Sequence, residues 1–281
     1  QNYLYLNDGT GVFTEAGFSM GLAVDCQGNA QGSMGIDCGD LDNDGRPEII
    51  VTSYEGELMT LYSLTQQGVY KDVTRGTRIG EGTLPHVTWG CSLADLDNDG
   101  DRDVYVASGH LDRRDQNKYY EVMNIVLQNE FAQTGRLVFH DVSRQCGQSD
   151  QVFCSRGSAV ADLDNDGDLD VVVLNRLARP TILQNTCKSN NWLKVTLIGR
   201  QAPRDGVGAK VRIVTDAATQ FDEVRSGRGY QSHWGSPLHY GLGAETKVKQ
   251  IEIHWPGGKP QTIVDVPANQ HLTIVQSDSP T

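Results

Sequence analysis

The chain has 281 residues and a formal net charge of −12, from 36 acidic and 24 basic residues. This acidity argues against nucleic acid or an anionic membrane as the main partner. No stretch of 18 consecutive apolar residues occurs, so the sequence predicts no membrane span. The 31 glycines and the scarcity of long helical patterns favour a turn-rich, all-β protein.

From the N-terminus, the sequence repeats a short acidic motif. The segment NYLYLNDGTGVFTEAG predicts two strands, and acid loops of the form D-L-D-N-D-G-x-x-[DE] then begin at Asp40, Asp95 and Asp162. The first residues of these loops are 55 and 67 positions apart. Self-similarity at this spacing is typical of a repeat architecture.

Each acid loop is followed by predicted strands in the same order. EIIVTS, DVYVAS and DVVVLN come first, then MTLYSL, NIVLQN and TILQNT, and two repeats continue with VYKDVT and VFHDVS. Such a unit of about four antiparallel strands is typical of a propeller blade. About three blades are predicted within residues 1–187, too few to close a ring of four to eight. We therefore expect a partial β-propeller, whose remaining blades come from a longer chain or from another chain.

The acid loop has the composition of a calcium site. Carboxylates occupy positions 1, 3, 5 and 9, a glycine at position 6 allows a sharp turn, and the carbonyl of residue 7 adds an oxygen. Five oxygens plus water suit Ca²⁺ better than Zn²⁺ or Mg²⁺. We expect three Ca²⁺ sites, with metal residues Asp40, Asp42, Asp44, Arg46 and Glu48; Asp95, Asp97, Asp99, Asp101 and Asp103; Asp162, Asp164, Asp166, Asp168 and Asp170.

Two other interpretations of these loops fit the sequence less well. An EF-hand needs a glutamate at position 12, where the three loops have Val51, Val106 and Val173. Purely polar turns would leave several acids per loop to repel one another without a counter-ion. Because the oxygens come from one contiguous segment, we expect the ions to stabilise the hairpins rather than meet a substrate.

Six cysteines without CxxC spacing exclude the common zinc ribbons and favour disulfides in an oxidising compartment. Six cysteines allow fifteen pairings. The first guesses are Cys26–Cys38 and Cys146–Cys154, which leaves Cys91–Cys187. No Asn-x-Ser/Thr acceptor for N-glycosylation occurs.

From about residue 188 the pattern changes to alternating strands without an acid loop, such as NWLKVTLIG, AKVRIVTD and KQIEIHW. We expect residues 188–281 to form a small β-sandwich or barrel domain. The blades resemble FG-GAP/VCBS repeats, and the tail, with RDGVGAKVRIV and IEIHWPGGKPQTIVDVPANQHLTIV, resembles the ASPIC/UnbV domain. This arrangement is similar to that of the cartilage acidic protein family. The resemblance implies an extracellular, calcium-bearing propeller with the ligands given above, although Glu48 and Pro47 depart from the usual loop and predict a weaker first site.

Catalytic signatures such as G-x-S-x-G, HExxH and a phosphate loop are missing. The stretch GYQSHWGSPLHYGLG predicts either a carbohydrate-binding face or aromatic side chains that pack in a turn. Ser226–Gly229 predicts a turn. The loop 144–156 is either a recognition loop or a connector. Further candidates without a visible partner are His86 with Trp89, His110 with Asp112, His233, His239, and His254 with Trp255.

Together these features predict a secreted calcium-binding protein that binds proteins or glycans outside the cell, in the periplasm or at the cell surface if bacterial. One alternative is a polysaccharide lyase or hydrolase that uses the propeller funnel. Another is a subunit whose open blade edges build an oligomer or filament, including a homo-oligomer.

Overall fold

The structure is a computed structural model that describes residues 1–111, 120–148, 152–187 and 190–277. Within these ranges the regular structure is almost entirely strand. Two one-turn helices, α1 (Thr74–Thr77) and α2 (Phe131–Thr134), are present among the described residues. None of the helices described is long and apolar enough to cross a bilayer.

The chain begins with a separate hairpin. Strands β1 (Tyr5–Asn7) and β2 (Phe13–Glu15) pair antiparallel with each other. The Asn7 side chain accepts bonds from the backbone N–H groups of Gly9 and Gly11 and so closes the turn. The aromatic side chains of this hairpin remain exposed, with Tyr5 58% and Phe13 59% accessible.

Two four-stranded antiparallel blades follow. The first contains β3 (Ile36–Gly39), β4 (Glu48–Val51), β5 (Thr60–Leu64) and β6 (Tyr70–Asp72) in chain order. The second contains β7 (Thr88–Ala94), β8 (Asp103–Ser108), β10 (Ile125–Asn129) and β11 (Phe139–Asp141). In both blades an acid loop joins the first two strands.

A third blade has three strands among the described residues, β13 (Ser155–Ala161), β14 (Asp170–Asn175) and β15 (Thr181–Leu183). The short strands β9 (Val122–Met123) and β12 (Val152–Phe153) pair beside it. Strand β7 contacts β3 on one side and β13 on the other, so the first strands of the three blades converge. The predicted all-β fold with propeller blades is confirmed.

The cores lie between successive blades because each strand presents apolar side chains to its neighbour. Leu61, Leu93, Val104 and Leu127 belong to a fully buried cluster that joins the first and second blades. Tyr105, Val126, Val160 and Val173 belong to a second cluster, which joins the second and third blades. All seven residues of β7 are buried, as expected for a strand covered on both faces.

The tail is a two-sheet sandwich formed by the last seven strands. One sheet has the order β19 (Leu238–Gly243), β16 (Asn191–Ile198), β22 (Gln270–Val275), with β16 and β22 parallel. The other has the order β18 (Thr219–Glu223), β17 (Lys210–Val214), β20 (Lys247–His254), β21 (Pro260–Pro267). Leu193 and Tyr240 from the first sheet pack with Val211 and Ile251 from the second in a single core.

The segment that joins β18 to β19, residues 224–237, leaves the sandwich and reaches the blades. The Gly229 N–H donates to the Ile36 carbonyl on β3 at 3.0 Å, and Tyr230 packs edge-on against Trp89 on β7, with ring centroids 5.1 Å apart. Gly157 on β13 lies against Tyr230 as well. The segment therefore contacts the first strands of all three blades and fills the space where they converge.

The predicted disulfides are not formed, since none of the six cysteines is in a disulfide. Cys91 is fully buried on β7. The Cys154 thiol donates to the His110 carbonyl at 3.3 Å. Cys146 and Cys187 instead line one cleft between the second and third blades. The predicted pairings were wrong because a short separation along the chain does not determine which inter-blade surface a cysteine faces.

Candidate metal centres

The carboxylate at position 9 closes each acid loop. One oxygen of Glu48, Asp103 and Asp170 accepts the N–H of the leucine at position 2 at 2.9 to 3.0 Å. The second oxygen accepts a hydrogen bond from the third strand of the blade or from the residues just after it. The donor is Ser63 Oγ at 2.9 Å for Glu48, the Asn129 N–H at the end of β10 for Asp103, and the Asn185 N–H, two residues beyond β15, for Asp170. This side chain ties both ends of the loop to the third strand.

Three acidic clusters remain, one in each loop, and their carboxylate oxygens lie within 4.8 Å of one another. The clusters consist of Asp40, Asp42 and Glu48; Asp95, Asp97 and Asp99; Asp162, Asp164 and Asp166. Of the residues predicted from the sequence, Asp44, Asp103 and Asp170 lie outside these clusters. The side chains at position 7 of the loops, Arg46, Asp101 and Asp168, lie outside the clusters as well. For this position the sequence predicts a carbonyl ligand rather than a side-chain ligand.

Several carboxylate oxygens in the clusters fit a divalent cation. Oδ1 of Asp42, Asp97 and Asp162 is buried and has no hydrogen-bond partner among the described residues. A buried anionic oxygen without a partner is costly, and hard oxygens at this spacing are ligands of the kind that Ca²⁺ takes. The donor set of each cluster therefore fits Ca²⁺.

Burial and mutual repulsion raise the pKa values of these acids. Burial, with repulsion from Asp44 and Asp40, raises the pKa of Asp42 to about 6. The pKa of Asp99 is likewise raised to about 6, mainly by burial. Fully buried Asp95 and Asp103 have pKa values well above the usual range for the same reason. A bound cation would relieve this repulsion and favour the charged form.

The three clusters differ in their basic neighbours. In the first loop, Arg46 forms an ion pair with Asp44, which lies outside the cluster. In the third loop, Lys194 of the tail lies 3.3 Å from Asp162. No such pair with a basic side chain involves the cluster acids of the second loop among the described residues.

Asparagine side chains join neighbouring loops. Asn98, at position 4 of the second loop with φ +59°, donates to the Gly167 carbonyl of the third loop at 3.1 Å. Asn129 donates to the Leu41 carbonyl of the first loop at 3.0 Å, and Asn185 to the Leu96 carbonyl of the second at 2.6 Å. The loops thus form one hydrogen-bonded platform. The recurring L-Q-N of the third strands was visible in the sequence, but its role was missed.

The tail sandwich covers this platform through the glycine at position 6 of each loop. Gly45 faces the ring of Phe221, Gly100 faces the Gln220 amide, and Gly167 lies directly against Trp192. Beside them, Arg102 donates to the Phe221 carbonyl and forms a 2.9 Å ion pair with Asp222, both side chains being nearly buried. The acid loops therefore serve as the docking surface of the tail.

The candidate histidines separate into two groups. His239 contacts the platform, with its Nε2 2.6 Å from Asn98 Oδ1. Burial lowers the pKa of His239 to about 4, so the ring is neutral. His233 and His254 stay exposed on the tail. The predicted partner of His110, Asp112, lies outside the described residues; His110 Nε2 is instead 3.2 Å from Glu55.

His86 and the turn at Ser226 complete the candidates. Burial lowers the pKa of His86, and Trp89 donates its Nε1–H to the Gly109 carbonyl at 2.7 Å rather than facing a shared site. Trp255 is buried in the tail core. Arg228, within the stretch read as a plain turn, binds Asp37 through two hydrogen bonds of 3.0 and 3.1 Å. That role was not predicted.

Propeller blades with a repeated acid loop, followed by a sandwich that docks on those loops, define an acid-loop repeat protein with a C-terminal β-domain. Residues 1–51 and 40–106 match the FG-GAP-like repeat family, and residues 199–281 match the family described as ASPIC and UnbV. The third acid loop lies outside the matched ranges.

The chain is 25% identical over 266 residues to cartilage acidic protein 1 of Xenopus tropicalis and of Mus musculus, and 24% identical to that of Homo sapiens. These matches cover 92% of this chain but 38%, 38% and 37% of the relatives. The chain thus spans a little over a third of the length of these relatives. The resemblance to the cartilage acidic protein family is confirmed.

Proposed function

We propose that this chain is a secreted calcium-binding propeller module that binds proteins or glycans outside the cell. Its three acidic clusters each take one Ca²⁺, with Asp40, Asp42 and Glu48, then Asp95, Asp97 and Asp99, then Asp162, Asp164 and Asp166 as side-chain ligands. The single observation that carries the proposal is the buried, unpartnered Oδ1 atom in each cluster, beneath a docked tail.

When bound, the ions supply positive charge that offsets the repulsion among the loop carboxylates. The residues of the chain do the remaining work: position 9 holds the loop closed, the asparagines align neighbouring loops, and the glycines at position 6 admit the tail. A rigid platform of this kind reduces the entropy lost when a partner binds. We therefore assign the ions a structural role in a binding protein.

Calcium titration calorimetry tests the metal assignment. We expect three Ca²⁺ per chain, and two for Asp97→Asn, because the central ligand of the second cluster is lost. Asp205→Asn, which changes an exposed aspartate in a tail turn, is the matched control and should keep three. Stoichiometry below one for the unaltered protein would contradict the assignment.

Binding to purified matrix proteins and an immobilised glycan array tests the function itself. We expect at least one ligand class to bind in calcium and to lose affinity in chelator. If neither the matrix proteins nor the glycan array showed binding while all three metal sites were loaded, the binding function would be contradicted. The metal assignment would still stand.

The exposed aromatic face of the β1–β2 hairpin favours assembly as a second candidate function. Tyr5 and Phe13 lie on the two-stranded sheet, and Tyr3, just before β1, stacks on Tyr5. All three are 58–62% exposed, and an exposed apolar patch of this kind favours contact with a further sheet. Sedimentation velocity over a range of concentrations in calcium distinguishes the candidates, since assembly requires a mass that grows with concentration.

A further inference from the structure

A partly enclosed cavity of about 250 Å³ lies between the second and third blades and the tail, beside the metal clusters. Its apolar wall includes Leu93, Val160 and Leu238, and its polar groups include Trp234, His239 and Lys194. The loop 233–237 covers it, with His233 and Pro237 exposed on the outer side. The apolar wall of this cavity has no role in binding the metal ions.

The basic groups that line the cavity are already paired. Arg102 pairs with Asp222 at 2.9 Å, Arg228 with Asp37 at 3.0 Å, and Lys194 with Asp162 at 3.3 Å. The other acidic lining atoms belong to Asp95 and Asp162, which are members of the second and third metal clusters. A charged ligand would find no free counter-charge, so burial of its charge would be unfavourable. The cavity chemistry favours a neutral ligand.

Three residues that line the cavity have a buried polar atom without a hydrogen-bond partner among the described residues: Asp162 Oδ1, which belongs to the third metal cluster, Trp234 Nε1, a donor, and His239 Nδ1. The last two have no role in a metal cluster. The amide nitrogen of Asn98 donates to Gly167 and Asp168, so its oxygen faces His239. His239 Nε2 therefore carries the proton, and Nδ1 is an acceptor. Buried polar groups in native proteins are almost always satisfied, so both atoms require a partner.

A hydroxyl group both accepts and donates, and so satisfies a donor and an acceptor together. Water alone would have to fill the space with roughly eight molecules at about 30 Å³ each. Several of them would face leucine and valine side chains without a partner. A ligand with an apolar carbon face and hydroxyl groups matches both parts of the wall.

We propose that this cavity binds a neutral polyhydroxylated ligand the size of one sugar residue. This inference rests on the proposed function in its glycan-binding form, and it places one ligand unit under the loop 233–237. Trp234 Nε1–H donates to a ligand hydroxyl, and His239 Nδ1 accepts from one.

Titration calorimetry with methyl glycosides of glucose, galactose, mannose and N-acetylglucosamine tests the site, with glucuronate and glucosamine as charged comparators. We expect at least one neutral glycoside to bind and the charged sugars to bind more weakly. Trp234→Phe keeps a ring beside Arg228 but removes the donor, and should weaken binding about three- to ten-fold. Trp255→Phe is the matched control, because its Nε1 donates to Gln261 in the tail core.

Three results would overturn the inference: no binding of any neutral glycoside, stronger binding of the charged sugars, or equal loss in both tryptophan variants. A crystal soaked in the tightest glycoside provides a second measurement that does not depend on how the variants fold. Sugar density in the cavity supports the site, whereas water alone in the cavity overturns it. Glycan-array binding whose affinity is unchanged by Trp234→Phe would overturn this site and leave the proposed function standing.

Discussion

Trp192 of the tail packs directly on Gly167 of the third acid loop, so closely that any Cβ at position 167 would overlap the indole ring. Gly167 also has φ +96°, a backbone conformation that other residues rarely adopt. The glycine that lets the loop turn is thus the glycine that lets the tail dock. A glycine of the tail also lies against an acid loop: a Cβ on Gly241 would overlap Asp95 of the second loop.

Gly167→Ala should separate the tail from the third loop. We expect a loss of about 1–2 kcal/mol of unfolding free energy from the left-handed backbone and a further 1–3 kcal/mol from the overlap with Trp192. Gly227→Ala is the matched control, with φ +94° and no atom within 4 Å of the added methyl group. Urea unfolding of both variants measures the difference; equal losses would show that Trp192 yields without cost.

Arg228→Met should be among the most destabilising changes on the tail. The Arg228 and Asp37 side chains are 5% and 2% exposed, and Arg228 also lies 3.8 Å from the Trp234 ring. Removal of one partner from a buried pair costs about 3–5 kcal/mol. Asp37 would then keep only its longer, 3.8 Å ion pair with Arg225. Lys247→Met breaks the exposed pair with Asp265 and should cost about 0–1 kcal/mol. Thermal unfolding that ranks the two variants equally would contradict the role assigned to Arg228.

The acid loops should make the metal-free protein less stable as pH rises. Burial raises the pKa of Asp42 to about 6 and of Glu48 to about 8, from unfolded values of 3.8 and 4.5. The folded state therefore holds these protons more tightly, and their stabilising contribution is lost as pH rises from about 4 to about 8. Urea unfolding in chelator should show this decline, and calcium should reduce it. A decline of the same size in calcium would contradict the metal assignment.

The repeat, the strand order and the loop acids could be predicted from the sequence, because each acid loop carries its own signal within nine residues. The sequence could not show which acids of a loop belong to the metal cluster and which close the loop by hydrogen bonds. Asp103 and Asp170 resemble the cluster acids in sequence, yet their oxygens accept backbone N–H groups from position 2 and from the third strand. That distinction depends on where a distant strand ends. The pairing of Arg228 with Asp37 joins residues 191 positions apart and carries no local signal.

The absence of disulfides gives a direct chemical prediction. In denaturant without reductant, we expect six reactive thiols per chain, because none of the six cysteines forms a disulfide in the fold. In the native protein, exposed Cys26 and Cys146 should react first and buried Cys91 last, since burial raises the pKa of the Cys91 thiol well above its usual value. Mass spectrometry after alkylation counts the labels. Four or fewer reactive thiols in denaturant would contradict this state of the cysteines.

Calcium removal should loosen the tail on its platform side before it affects the far side of the sandwich. The tail residues that face the acid loops lie at Trp192, in β18 and at His239–Gly241, and their contacts depend on loops whose carboxylates repel one another without a cation. Strand β21 pairs with β20 at the opposite edge of its sheet from β18. Hydrogen exchange in chelator should therefore rise for amides of β18 and β19 while those of β21 change little. A uniform rise across all seven tail strands would mean that the sandwich unfolds as a whole, and an unchanged pattern would mean that the loops keep their shape without the ion.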